Sequence, residues 1–527
     1  MKKYIILICT VLILSLVGPY CAFADSTTYL PDEEGLELDW AFTETPPKRP
    51  QPKILNPLNY EVKWKIDNTL IQDIILDQQG VVYTSDSKDM VRAVYPNGKE
   101  KWSIHLDMGF EISVIYLVIG QDGTLYAHSS DSFSEKGLST IYALSPEGKI
   151  KWKLQSKSIY SDFNSQFAGD VHGNLVFFTD EGLTSLNAKG EVNWINKTIT
   201  SSEPRDYSRN SHKVSLFMDS KGNLYLDSAL GVMISLDRSG VERWHTQPLQ
   251  YVNKFSGFQP HFSHNDHLYL LTEDGLHILN TRDGSTVDTI NMDINDIQSS
   301  GVPMDGQGGF YINARGRFLK INREGELIWE YKRRETEKNG IGSVEEPITD
   351  KEGNVYFNTG VGNIIALNNK GQEIFVFLRN AFWSKIDKLI LDNNGNIVST
   401  LDDIGLVSFG KKQIQVYIDN LSLPLTAAPI NHDGTVLVPF RSLFENAGLK
   451  VSWDPDLKTI TGTKEGLSIQ LTIGGKTAFV NGLAQELNES PLIENNNTFV
   501  PLRFVGETLG RKVNWDGTSS SINIDRE

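Results

Sequence analysis

The sequence predicts an all-β fold, an eight-bladed β-propeller with seven blades as the competing count, followed by a small duplicated α+β domain. Three observations predict it. A D-x-x-G turn followed by β-rich residues recurs through residues 60–412. A Gly turn followed by Trp recurs downstream of it in most copies, at a period of about 41 to 50 residues, in the range of propellers and solenoids. A third pattern, V-P-x-R-x-x-x-E-x-x-G-x-x-V-x-W, occurs twice near the C-terminus at an offset of 62 residues.

The elements follow in chain order. Met1-Lys2-Lys3 is basic, "YIILICTVLILSLVG" is apolar, and Ala22-Phe23-Ala24 is a small-residue site, so residues 1–24 read as a secretory signal peptide cut after Ala24. The run is short for a membrane anchor. Cys21 follows Gly18-Pro19-Tyr20 and lacks the small neighbour expected beside a lipid-modified cysteine. Cys9 and Cys21 both lie in this signal, so the mature chain is expected to hold no disulfide, no Cys-ligated metal and no thiol nucleophile. No later segment is apolar enough to span a membrane. Residues 25–59 read as a linker, acidic at first and then rich in proline (Pro46, Pro47, Pro50, Pro52, Pro57).

The propeller is expected over residues 60–412. Its first signature appears as "DQQGVVY" from Asp77, "DVHGNLVF" from Asp170, "DSKGNLY" from Asp219, "DGQGGFY" from Asp305, "DKEGNVY" from Asp350 and "DNNGNIV" from Asp392. Looser copies start at Gly120 and His264, which makes eight. Asp opens such a turn by accepting from nearby amides, Gly tolerates positive φ, and β-branched or aromatic residues then pack on a sheet. The second signature supplies Trp102, Trp152, Trp194, Trp244 and Trp329; Phe375 and Asp288 occupy the same slot in two copies. Each period holds about four short β segments, the arithmetic of a propeller blade. "YEVKWKI" supplies Trp64 without a Gly turn before it, and the last copy, "GLVSFGKK", lacks a Trp strand. The first segment is therefore expected to complete the last blade.

These units resemble the repeats of the pyrroloquinoline-quinone (PQQ) dehydrogenases and related propellers, whose pattern runs approximately Ala-Leu-Asp-x-x-Thr-Gly-x-x-x-Trp. "YALSPEGKIKW" (Tyr142 to Trp152) is one residue shorter before the Gly, and "ILNTRDGSTVD" (Ile278 to Asp288) keeps the turn but loses the Trp. The resemblance implies that Trp64, Trp102, Trp152, Trp194, Trp244 and Trp329 dock between blades. It also implies a calcium ion and PQQ in a central funnel, commonly beneath a disulfide of adjacent cysteines. The mature chain lacks such cysteines, no compact Glu/Asn/Asp set stands out, and D-x-x-G lacks the spacing of a calcium loop. PQQ and calcium are thus disfavoured, and no cofactor is expected.

Residues 413–527 differ in texture. "TVLVPFRSLFENAGLKVSWDPD" from Thr435 and "TFVPLRFVGETLGRKVNWDG" from Thr498 each predict a helix started at Pro and stopped at Gly448 or Gly510, then a strand. Arg and Glu four apart can pair on each helix. This unit resembles the copper amine oxidase N-terminal-like domain, a stalk that carries neither copper nor quinone. His432 alone makes no copper site, which usually needs several imidazoles.

Chemistry is sparse. In "QPHFSHNDHLYLL", His261, His264 and His267 recur every third residue. With Asn265-Asp266 as a two-residue turn, His264 and His267 would face each other and could hold zinc, although a polar hairpin tip without a metal is favoured. No nucleophile elbow, H-E-x-x-H, Walker loop or dinucleotide fingerprint occurs. A net charge of −16 argues against nucleic acid. The expected function is a secreted, non-enzymatic scaffold, cell-wall associated or free, that presents a face to a protein or envelope glycan, with the C-terminal unit as attachment or spacer. The alternative is an enzyme of the propeller funnel, a quinone dehydrogenase or a hydrolase.

Overall fold

The computed structural model describes residues 53–55 and 60–526, except 68–70, 109–113, 131–138, 157–166, 200–215, 220, 228–231, 249–260, 263–265, 273–274, 292–308, 315–316, 333–346, 360–362, 379–387 and 402–404. The expected signal peptide, residues 1–24, and nearly all of the expected linker lie outside the described residues. None of the described helices is long and apolar enough to cross a membrane.

Residues 53–411 form eight consecutive antiparallel sheets, giving an all-β, propeller-like body. The first contains Ile71–Leu76, Val82–Asp86, Met90–Val94 and Glu100–His105, paired in chain order. The next four repeat that order. The sixth has three described strands, Phe310–Ala314, Arg317–Ile321 and Leu327–Lys332. The eighth is closed by the N-terminal strand Tyr60–Ile66, which pairs with Gly405–Lys411 from Tyr60↔Lys411 to Ile66↔Leu406. One correction to the linker concerns Lys53–Leu55. Composition placed it with the spacer, yet it adds a fifth strand to the seventh sheet, pairing with Val376 to Leu378. Its backbone satisfies an otherwise open sheet edge, which composition does not report.

Burial follows position in each sheet. Val82–Asp86, Ser139–Leu144 and Gly182–Leu186 are buried throughout, because a central strand is covered by a neighbouring sheet on both faces. The outermost strand Ile150–Ser156 alternates exposed and half-buried residues.

The indoles join one sheet to the next. Trp64 Nε1 donates to Pro96 O at 2.9 Å, Trp102 to Pro146 O at 2.9 Å and Trp152 to Ala188 O at 3.2 Å. Trp194 donates to Arg238 O at 2.9 Å, Trp244 to Thr281 O at 3.0 Å and Trp329 to Asn369 O at 3.0 Å. Each ring lies on the Gly turn of its neighbour. At Gly98 (φ 84°) a Cβ would meet Trp64 at 2.5 Å, so the glycine is required by conformation and by contact together. Where Asp288 holds the slot, Ile290 packs on the next turn at Gly325 instead. Where Phe375 holds it, the ring meets Tyr60 at 4.5 Å. These contacts run from each sheet to the next and return from the eighth to the first.

The C-terminal module has two short helices, α1 (Phe440–Asn446) and α2 (Leu502–Thr508), each preceded by proline. Gly448 (φ 78°) and Gly510 (φ 69°) end them in the left-handed region. Arg441 pairs with Glu445 at 3.3 Å and Arg503 with Glu507 at 3.6 Å. The hairpins Ile430–His432/Thr435–Pro439 and Leu492–Glu494/Asn497–Pro501 join through Val438↔Val500, so the duplicated halves meet at equivalent residues. Leu443, Phe444, Ile460, Leu502, Val505 and Ile522 fill one shared core.

Candidate interaction surface

Antiparallel strands alternate direction, so the described D-x-x-G turns and Gly-to-Trp turns lie at one end of their sheets. That end is chemically consumed by its own architecture. Asp170 Oδ1 accepts from His172 N and Asn174 N, both at 2.8 Å, and its Oδ2 accepts from Asn174 Nδ2 at 2.7 Å. Asp219, Asp350 and Asp392 repeat the pattern with Asn223, Asn354 and Asn396. Tyr83 donates to Asp77 and Tyr356 to Asp350. These carboxylates are thus engaged within their own turns. Among the described residues the propeller brings together no group of three His, Cys, Asp or Glu suited to a metal.

The copies differ at one repeated position. In all eight sheets the ladder between the last two strands slips by one residue just before the Trp slot. The bulged residues are Lys63, Lys101, Lys151, Asn193, Arg243, Val287, Ile328 and Ile374. A bulge re-aims its side chain. Lys151 Nζ donates to Thr124 Oγ1 at 2.8 Å, and Arg243 donates to Ser235 Oγ at 2.9 Å, both within their own sheets.

Lys63 is aimed elsewhere. Its side chain is 1% exposed, and Nζ meets Glu61 Oε1 at 2.6 Å, Gln413 O at 3.1 Å and Ser519 O at 3.4 Å. The last two acceptors belong to the C-terminal module. Burial lowers the ammonium pKa, and Glu61 opposes that shift. Beside it, Gln415 Nε2 donates to Asn396 Oδ1 at 2.7 Å, and Tyr417 OH donates to Gln415 Oε1 at 2.6 Å. Asp392 sits at the base of this network, and burial pushes its carboxyl up to about 6 against the donors of Asn396 and Asn394. The module thus rests on the turn end of the propeller through buried polar contacts.

The expected pairing of His264 with His267 falls partly outside the described residues, since His264 is not among them. His261 pairs with Tyr269 and Phe262 with Leu268, while His267 pairs with Asn280 on its other side, so backbone register sets His261 and His267 against different partners. Asp266 instead binds Lys221 at 2.9 Å. His128 was not singled out from the sequence. It is enclosed between Phe167 (3.9 Å) and Tyr116 (5.5 Å), and burial lowers its pKa to about 3. In the module, His432 Nδ1 approaches Glu489 Oε2 at 3.4 Å and Asp433 Oδ2 at 3.9 Å. Glu489 is held in place by Ser490 N at 2.8 Å, and both His432 and Asp433 are exposed, as in a surface ion pair. Sequence reasoning missed this group because Glu489 lies far along the chain from the adjacent His432 and Asp433.

Comparison with known proteins places both parts. The family described as outer membrane protein assembly factor BamB matches residues 55–290 and again 231–375. The copper amine oxidase N-terminal domain matches residues 417–524. A protease inhibitor of Brevibacillus choshinensis is 28% identical over 116 residues, which are 22% of this chain and 35% of that protein; the chain thus spans about a third of that relative's length. The crystal structure of BamB from Moraxella catarrhalis is 16% identical and covers 67% of this chain and 99% of its own, with a TM-score of 0.49. The C-terminal WD40 domain of Sif2 is 10% identical and covers 69% of this chain and 98% of its own, with a TM-score of 0.48. With propeller repeats matched from residue 55 to residue 375, the chain belongs to the outer membrane protein assembly factor BamB family and carries a copper amine oxidase N-terminal domain at its C-terminal end.

Proposed function

We propose that this protein is a secreted, non-enzymatic scaffold of the cell envelope that carries a protein partner on its propeller. The observation that supports this best is the consumption of the repeated polar groups by architecture. Turn carboxylates bind their own amides, and the indoles bind neighbouring carbonyls, which leaves shape and surface rather than chemistry to act on a ligand. The family description, an assembly factor, favours a protein over a glycan. The module covers part of the turn end, so the partner is placed at the opposite end, where the connections between sheets leave.

In this reading residues 1–24 are removed and residues 25–59 tether the body, with Lys53–Leu55 docked. Residues 60–412 form an eight-bladed ring, which the eight sheets and their contacts support. Residues 413–527 form the duplicated α+β module.

The test uses the chain from Asp25 onward, immobilised and exposed separately to solubilised envelope proteins and to purified cell-wall glycan. Stoichiometric retention of one protein, and no retention of glycan, is expected. The reverse outcome overturns the reading. Stoichiometric uptake of PQQ with Ca²⁺, seen as quinone absorbance and accompanied by alcohol oxidation, would also sink it in favour of an enzyme.

A further inference from the structure

The ring is closed by strand pairing and apolar packing, as of Tyr60 on Phe375, and the chain after residue 24 has no cysteine to lock it. Its seam lies where Tyr60–Ile66, from the start of the propeller, pairs with Gly405–Lys411 from its end. No covalent link holds that pairing, so it is the place where such a ring can open.

The C-terminal module grips this seam from three sides. On the closing strand, Lys63 Nζ reaches Gln413 O and Ser519 O, and Ser520 Oγ donates to Glu61 Oε2 at 3.3 Å. On the last sheet, Asn396 exchanges hydrogen bonds with Gln415 at 2.7 and 3.3 Å. On the first sheet, Asn97 Nδ2 donates to Asn420 Oδ1 at 2.9 Å and to Asn523 Oδ1 at 2.8 Å. Lys99 lies 3.8 Å from Asp525, and Leu421 packs on the apolar cluster shared by the first two sheets. Gln413 and Gln415 directly follow the last propeller strand, so chain continuity alone would bring them near. Residues 420–421 and 519–525 have no such excuse. They reach the first sheet and the closing strand through the folded module.

We propose that the module is an in-cis latch whose binding partner is the propeller's own closure seam. It holds the closing strand in the last sheet and ties that sheet to the first. Loss of its contacts frees the strand Tyr60–Ile66 before any other part of the ring. The repeated bulge explains how the latch arose within a periodic architecture. The residue before the Trp slot is re-aimed in every sheet, and only at Lys63 is a module carbonyl within reach of it among the described residues.

Amide hydrogen exchange on the full mature chain tests this. Lys63→Met is expected to speed exchange in residues 60–66 and 405–411 by roughly tenfold or more, as for loss of a buried charged contact, with residues 175–196 unchanged. Lys151→Met, the same slot in the second sheet, is expected to leave the seam unchanged. Asn97→Ala and Asn523→Ala form a second arm that leaves Lys63 intact. Each is expected to loosen the seam, and the double variant is expected to loosen it no more than Asn97→Ala alone, because Asn97 makes the one bond that Asn523→Ala removes. Seam exchange at the wild-type rate in both arms overturns the proposal. So does a rise spread evenly over all sheets, or fully additive effects of the two asparagines.

Discussion

Tryptophan recurs in both regions of this molecule, in periodic slots, and does opposite things. In the propeller each slot indole is half-buried or buried and donates to a carbonyl of the next sheet. In the module, Trp453 and Trp515 occupy equivalent positions of the two halves, yet they are 38% and 49% exposed. Both regions repeat a residue, but only the propeller repeats an interface for it. A propeller unit must bury its face against the next unit, so the slot is a joint. The module's halves already share a core through Val438 and Val500, and their tryptophans lie on edge strands outside it. Recurrence of a residue therefore marks a structural role only where the neighbour recurs too.

The sharpest way to break this comparison is to truncate both kinds. Trp244→Ala is expected to cost about 3–5 kcal/mol, since it removes a buried indole and its hydrogen bond. Trp515→Ala is expected to cost less than about 1 kcal/mol, as an exposed substitution does. Urea unfolding with an unchanged m-value would measure both, and equal losses would erase the distinction.

A smaller effect separates the two uses of the bulge. Lys63→Met is expected to lower stability by about 1–3 kcal/mol, because Glu61 and two carbonyls lose their buried donor. Lys151→Met, whose ammonium is partly solvated, is expected to lose less than about 1 kcal/mol in the same unfolding experiment.

A pH profile sharpens the contrast at the joint between propeller and module. The Asp392 carboxyl is held at about 6, above the ~3.9 of an unfolded aspartate. The folded state therefore binds this proton more tightly than the unfolded state. Its contribution to stability is fully present below about pH 4 and is lost as pH rises through about 6. In Asp392→Asn that part of the slope of stability against pH should vanish between pH 4 and 6, measured as the shift in denaturation midpoint. A slope retained in the variant would assign it to another group.

The smallest expected effect lies on the helices. Arg441→Ala removes an exposed pair with Glu445 and is expected to cost about 0.3–0.5 kcal/mol by thermal unfolding. A loss of several kcal/mol would mean that α1 is not the solvent-facing helix its pairing suggests.

What could be read from the sequence follows from range. The turn at Asp170 to Asn174 closes within five residues, so Asp, Gly and Asn announce it locally. The prolines before α1 and α2 and the glycines after them act within one turn of helix, and they too were legible. The module's duplication was visible as a fixed offset. The histidine segment was a different case, because cross-strand pairing depends on register, which spacing by threes does not specify, and His264 lies outside the described residues.

The sequence by itself therefore determined the repeating unit, its turns, its slot residues and the presence of a second, duplicated module. Only the tertiary structure decided which of the bulged residues faces outward to another domain, where the module sits, and that Lys53–Leu55 caps an edge. Lys63 and Ser519 are brought together by the closing of the ring, and no local pattern of residues encodes a contact between the two ends of a chain.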